Sequence, residues 1–404
     1  MKLSCGGELT YCTNIHPGES WGEIRQNLDR YVLPVKASVA GDDQFGIGLR
    51  LSASAATELI LPDRLREFKS WLAENNCYVF TINGFPYGDF HGQQVKENVY
   101  LPDWRSKHRV NYTLILAELL AELLPEKNVS YGSISTVPIG FKKHISITED
   151  IRNVIGNLML VIKYLIDLEN RTGKRILLAL EPEPCCYLET ISETIDFFNR
   201  NIFSDSTVRQ LSEELKTSHL NERSEIRKHI GICLDLCHAA VEFEDPRNFL
   251  QQIRASEILI PKIQISNGLC ITSVNDEKIQ RLLEFNDEVY LHQVVEKIGQ
   301  NLYRYEDIGE AVSCYYSDAA RNEAGSREWR VHFHVPVFLS SLAMFHTSQS
   351  FLQCVLAEHS EDALTQHLEV ETYTWHVLPE QFRNEDIVQL ITRELTWVKS
   401  LLQS

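Results

Sequence analysis

Short apolar runs alternate with stretches of helical spacing, eight times along the chain, and this order constrains the fold more than anything else in the sequence. The runs are LTYCTNIH (9–16), FGIGLRLS (45–52), YVFTING (78–84), YGSISTVP (131–138), RILLALEPEP (175–184), IGICLDLCH (230–238), KIQISNG (262–268) and HLEVETYTW (367–375). Helices are predicted near 20–33, 62–75, 105–124, 148–170, up to about 228, near 246–258 and near 384–403. Parallel strands need long crossover connections, so strand–helix alternation predicts a parallel sheet. Eight units predict one α/β domain over 1–404, a (β/α)8 TIM barrel with an insertion around 270–360, between its seventh and eighth strands. WRVHFHVPVF (329–338) falls in that interval and reads as an extra strand or ordered loop.

Side chains alternate between the two faces of a strand. In the fifth run Ile176, Leu178 and Leu180 oppose Leu177, Ala179 and Glu181; in the sixth, Ile230, Ile232 and Leu234 oppose Gly231, Cys233 and Asp235. In the seventh Ile263 and Ile265 oppose Gln264 and Ser266, and in the last Leu368 and Val370 oppose His367, Glu369 and Glu371. The aliphatic faces suit the helical ring. The other faces point inward, with polar groups gathered at the C-terminal ends where barrel enzymes keep their active sites. Glu181, Asp235, Gln264 and Glu371 are therefore expected to converge on one mouth.

Three carboxylates that close cannot all ionise without a cation. Oxygen-rich ligands with one imidazole or amide suit a divalent ion: Mn2+, Mg2+, Co2+ or Zn2+. Asp235 is read as a ligand at the barrel rim, against the alternative that it only caps the next helix. His238, three residues on, is read as a support for the ion or a substrate contact.

The formal charge of −17 argues against a phosphate-backbone partner. No apolar run approaches the roughly 20 residues of a membrane span, and the N-terminal stretch lacks a signal peptide's apolar region. A cytoplasmic location is expected. The ten cysteines are scattered, without a CxxC, and are expected to be reduced thiols.

LALEP, DLCH and EVETY, in this order and spacing, resemble the xylose-isomerase-like barrel superfamily of sugar-phosphate isomerases and epimerases, which also includes the endonuclease IV type of repair enzyme. The resemblance implies ligands at Glu181, at Asp235 with His238, at Gln264 and at Glu371. At position 264 the superfamily usually has His, and an amide is the weaker ligand. The repair branch's histidines on the third and fourth strands have no counterpart; Asn83 and Pro138 stand there. NGFPYGDFHGQQVKENVYLPDW (83–104), YLHQVV (290–295), EWRVHFHVPVF (328–338) and HLEVETYTWHVLP (367–379) resemble the EboE family, sugar-phosphate-isomerase-like proteins of metabolite-traffic gene clusters. That resemblance implies a role in making or moving secondary-metabolite precursors, with other proteins of such clusters as partners.

Further site candidates are His16 and Asn14 at the end of the first strand, Arg50 on the second, His91 and Lys96 in the loop after the third, and the His332/His334 pair. All are expected to contact substrate. Arg50 suits an anion or a structural ion pair; the two histidines suit a metal, a proton shuttle or internal hydrogen bonds. Glu183 reads as loop, His292 as a core or interface residue, and 205–228 as a solvated helix face. The leading expectation is a metal-dependent isomerase or epimerase of a small polyhydroxylated metabolite, with Glu181 and Glu371 moving the proton and His238 orienting a substrate oxygen. The other is a non-catalytic metabolite binder or carrier that uses the same mouth.

Overall fold

The computed structural model describes residues 1–3, 6–88, 96–126, 129–146, 148–215, 219–285, 291–317, 326–375 and 384–402. Seven strands alternate with helices along the first two thirds of the chain: β1 (Glu8–Tyr11), β2 (Phe45–Arg50), β3 (Cys77–Asn83), β4 (Gly132–Thr136), β5 (Ile176–Leu180), β6 (Ile230–Asp235) and β7 (Leu259–Ile265). The chain then leaves for β8 (Asn267–Thr272), β9 (Val294–Ile298), β10 (Asn301–Tyr305), β11 (Arg327–Val335), β12 (Ser341–Leu342) and β13 (Phe345–Thr347), and returns as β14 (His367–Val370).

The first sheet runs β1-β14-β7-β6-β5-β4-β3-β2, all parallel. A parallel bridge between Cys12 and Gly48 joins its two ends, so the sheet is a (β/α)8 barrel. Closure is tight at Gly48, where a Cβ would lie 1.8 Å from Glu369 Oε1 and 2.7 Å from the Tyr11 carbonyl oxygen. No other residue type fits there without moving the barrel's core.

The aliphatic strand faces pack against the surrounding helices, and Ile176, Leu178, Leu180, Ile230, Ile232 and Ile263 are fully buried. Helices begin where side chains satisfy the amides that a first turn leaves bare. Ser20 with Glu23, and Thr190 with Glu193, form capping boxes, worth about 1 kcal/mol each. Inside the barrel the filling is polar: Ser133 Oγ bonds His367 Nδ1 at 2.7 Å and Thr81 Oγ1 at 2.8 Å.

Two expectations are corrected. The first strand ends at Tyr11 rather than at residue 16, because Thr13–Ile15 coil into a 3-10 turn. The interval after β7 is more than one extra strand: β8 to β13 form a six-stranded sheet, order β10-β9-β11-β8-β13-β12, with a core around Trp329, Val331 and Phe333. These strands are short and mixed in polarity, NLYRY in β10 for example, so no apolar run marks them. The nine described cysteines are free thiols. No described helix is long and apolar enough to cross a membrane.

Candidate functional site

Glu181 directly follows β5, Asp235 ends β6 and Glu371 directly follows β14. Each is a C-terminal end on the inward parity, and one carboxylate oxygen from each lies within 4.8 Å of the other two. All three are buried, at 3, 2 and 4 % exposure.

Asp235 combines the two roles considered from sequence. Its Oδ1 accepts from the His238 backbone amide at 2.9 Å, capping the helix Leu236–Val241, and from Ser266 Oγ at 2.7 Å. Its Oδ2 is buried without a hydrogen-bond partner, as is Glu181 Oε2. Glu371 Oε1 accepts from Asn14 Nδ2 at 2.6 Å and Asn83 Nδ2 at 2.9 Å. Among the described residues, no Lys or Arg forms an ion pair with any of the three. Burial pushes the Glu181 carboxyl well above the ordinary range, and the Glu371 and Asp235 carboxylates push it further. Burial does the same to Glu371, reinforced by Asp235 and Glu369. Orphaned acceptors and mutually repelling acids fit a divalent cation, since an unpaired buried acceptor is costly. Glu181, Asp235 and Glu371 are the residues to hold it.

Gln264 stands in register with Asp235 on one side and Glu369 on the other. It is fully buried, and neither its amide oxygen nor its nitrogen has a hydrogen-bond partner. It lies behind the carboxylates, outside the cavity lining.

The mouth opens into a cavity of about 550 Å3. Glu181, Glu371, Glu183, His238, Asn14 and Asn83 line its polar side; Phe85, Pro86, Val99, Leu291 and Tyr373 line the other. Lys96 reaches the wall and pairs with Asp307 at 3.4 Å. His332 and His334 also line the cavity, which adds them to His238 in one cluster: Nε2 of His332 is 3.1 Å from Nε2 of His238 and 2.9 Å from Nε2 of His334. Burial and the neighbouring imidazoles depress His332 well below the ordinary histidine range. Burial takes His334 to about 4, against the pull of Asp235.

Two expected substrate contacts are placed elsewhere. Because of the 3-10 turn, Asn14 rather than His16 faces the mouth. His16 Nε2 lies 3.0 Å from Tyr11 Oη, its ring stacks on Tyr31, and it is outside the cavity lining. Arg50 is a structural cation: it pairs with Glu19 at 2.9 Å and donates to the Gly18 and Gly88 carbonyls. His91 lies outside the described residues.

Several site residues were not predicted. Tyr100 donates to Glu183 Oε1 at 2.7 Å, and Gln293 Nε2 donates to Tyr100 Oη at 2.8 Å. Both come from loops, where strand parity gives no guide. Glu183, expected to be loop alone, is loop and cavity wall at once. Its carboxyl is raised by burial, against His238 and the Tyr100 bond.

No protein-family model matches the chain, and no curated protein matches it. Similar solved structures include a probable 3-DHS dehydratase, AsbF, involved in petrobactin synthesis in Bacillus anthracis, at 12% identity and TM-score 0.45, covering 96% of this chain and 97% of that one. Another is the IolI protein with a binding zinc atom, at 13% identity and TM-score 0.43, covering 98% of both chains. A xylose isomerase domain-containing protein from Salmonella typhimurium shares 12% identity at TM-score 0.39, over 100% of both chains.

Proposed function

We propose that the protein is a metal-dependent enzyme of the isomerase or epimerase type, acting on a small polyhydroxylated metabolite. The observation that carries this reading is the meeting of Glu181, Asp235 and Glu371 on an enclosed cavity with no cation of the chain's own paired to them. A divalent ion bound there supplies charge stabilisation for an oxygen next to the reacting carbon.

The chain's own residues do the rest. Asn14 and Asn83 fix Glu371 Oε1 as an acceptor, leaving Oε2 to face the substrate. Glu181 and Glu371, both with raised affinity for protons, take a proton from carbon and return one to the neighbouring position or the opposite face. His238 donates from Nδ1 to the Pro182 carbonyl at 2.9 Å, which fixes its ring on the wall. Phe85, Pro86, Val99 and Leu291 exclude water. An EboE-like role in secondary-metabolite precursors, with partner proteins from such a cluster and a cytoplasmic location, extends the same proposal.

The binder reading keeps one observation in its favour, an amide at Gln264 where the resembled enzymes have imidazole. Identification of co-purified metabolites by mass spectrometry, followed by incubation of the identified compound with Mn2+ and protein in D2O, separates the two. Deuterium entering a carbon-bound position, and failing to enter with Glu181→Gln or Glu371→Gln, supports the enzyme. A bound metabolite that never exchanges supports the carrier and overturns the enzyme.

A further inference from the structure

The three imidazoles on the cavity wall pose a problem that protons do not solve. Each Nδ1 faces an oxygen that can only accept. His238 Nδ1 is 2.9 Å from the Pro182 carbonyl, His332 Nδ1 is 2.8 Å from Gln293 Oε1, and His334 Nδ1 is 3.0 Å from the Glu371 carbonyl. Gln293 is fixed in this orientation, because its NH2 group faces Tyr100 Oη, Glu183 Oε1 and the Pro184 carbonyl. Each Nδ1 therefore carries the ring proton, and each neutral ring has a bare lone pair at Nε2. Yet these lone pairs point at one another, with Nε2 of His332 3.1 Å from one neighbour and 2.9 Å from the other. One added proton bonds along one contact and leaves the other bare. All three rings are buried, at 4, 6 and 1 % exposure.

We infer that Nε2 of His238, His332 and His334 are the ligands of a second cation, of the zinc class, beside the oxygen-ligated ion of the carboxylates. A tetrahedral ion with nitrogen ligands at about 2.0 Å has ligand–ligand edges of about 3.3 Å, close to the two contacts observed. Three neutral imidazoles with one position left open suit Zn2+ or Co2+, whereas the carboxylate cluster suits Mn2+ or Mg2+. An oxygen holding each Nδ1 is the outer support that ligating histidines have.

The fold builds this trio by a specific device. From Val331 to Val335, β11 takes four steps while β8 takes two, Leu269 to Asn267. This bulge frees the backbone between, so His332 N bonds the Gln293 carbonyl instead and both ring side chains turn to the mouth. Asp235 Oδ1, at 3.9 Å from His238 Nε2, stands between this trio and the carboxylates. Glu183 and Tyr373 line the cavity on the open side.

The inference requires neither turnover nor occupancy of the carboxylate site. Its test is Zn2+ and Co2+ binding by the chelator-stripped full chain. One Zn2+ per chain is expected to survive gel filtration, with X-ray absorption showing imidazole scattering from three histidines. Co2+ is expected to give an intense four- or five-coordinate visible band. Glu371→Gln keeps that band, His334→Ala abolishes it, and Gln293→Leu lowers Co2+ affinity about 10–100-fold by releasing His332. An oxygen-only zinc shell in the wild type, or a band unchanged in a folded His334→Ala, overturns the second site and leaves the proposed reaction standing. A retained band in a protein that exchanges no substrate proton does the reverse.

Discussion

β14 carries two buried glutamates two residues apart, and the chain treats them in opposite ways. Inside the barrel, Glu369 meets Lys262 at 2.5 Å, both side chains fully buried. Burial alone would lower the Lys262 ammonium, and the facing carboxylate more than offsets it, holding it above its ordinary range. At the mouth, Glu371 meets two more acids and its affinity for protons rises. The inserted sheet repeats the first solution: Glu296 is bound by Arg327 at 3.2 Å, Trp329 Nε1 at 2.8 Å and Tyr305 Oη at 2.8 Å. Where a buried carboxylate serves the fold, the chain supplies its own donors or cation. Only at the mouth does it leave the charge for something else to settle.

Breaking the interior pair has the largest expected effect. Lys262→Met leaves Glu369 buried and uncompensated, and lowers stability by about 3–5 kcal/mol in urea denaturation. Adding Glu369→Leu to it recovers most of that loss, because replacing a whole buried pair by apolar residues is often neutral. A single variant as stable as wild type would erase the contrast between interior and mouth.

At the mouth the sign reverses. In metal-free protein, Glu371→Gln removes repulsion and raises stability by about 1–3 kcal/mol, seen as a higher denaturation midpoint. With Mn2+ at 100 times its dissociation constant, the wild type gains about 2.7 kcal/mol and the variant gains little. A variant destabilised with and without the ion would make Glu371 a structural residue like Glu369.

Glu394 sharpens the comparison with the smallest effect. It accepts from Thr372 Oγ1 at 2.7 Å and Val337 N at 3.1 Å, and burial, against those bonds, pushes it up to about 8. The folded state therefore keeps a proton that the unfolded chain releases above about pH 4.5. Stability contributed by this group falls as pH rises from about 5 to 8, by at most about 1.4 kcal/mol per pH unit. Glu394→Gln is expected to flatten that slope in thermal melts; an unchanged slope places the proton elsewhere.

Much of the barrel is legible in the sequence because strands buried on both faces read as continuous apolar runs. Parity along those runs also brings Glu181, Asp235 and Glu371 to one end, since a strand's alternation holds as long as the strand does. It fails where the strand stops. The 3-10 turn at Thr13–Ile15 exchanges Asn14 for His16, and the first strand gives no warning of it. The inserted sheet is hidden for a different reason: β8 starts one residue after β7, so the change of sheet at Ser266 has no loop to announce it. The imidazole trio is half visible. His332 and His334 share a strand face by spacing, but their meeting with His238 depends on the β11 bulge and on a register that only the folded sheet sets.

The central claim is that the mouth carboxylates hold a divalent cation. Equilibrium dialysis of chelator-stripped wild type against Mn2+, in parallel with Asp235→Asn and Glu371→Gln checked for fold by circular dichroism, tests it most directly. Saturable binding by the wild type, lost in both variants while their spectra stay unchanged, is the predicted result. Wild type that takes up no Mn2+, or folded variants that bind it equally well, would contradict the claim.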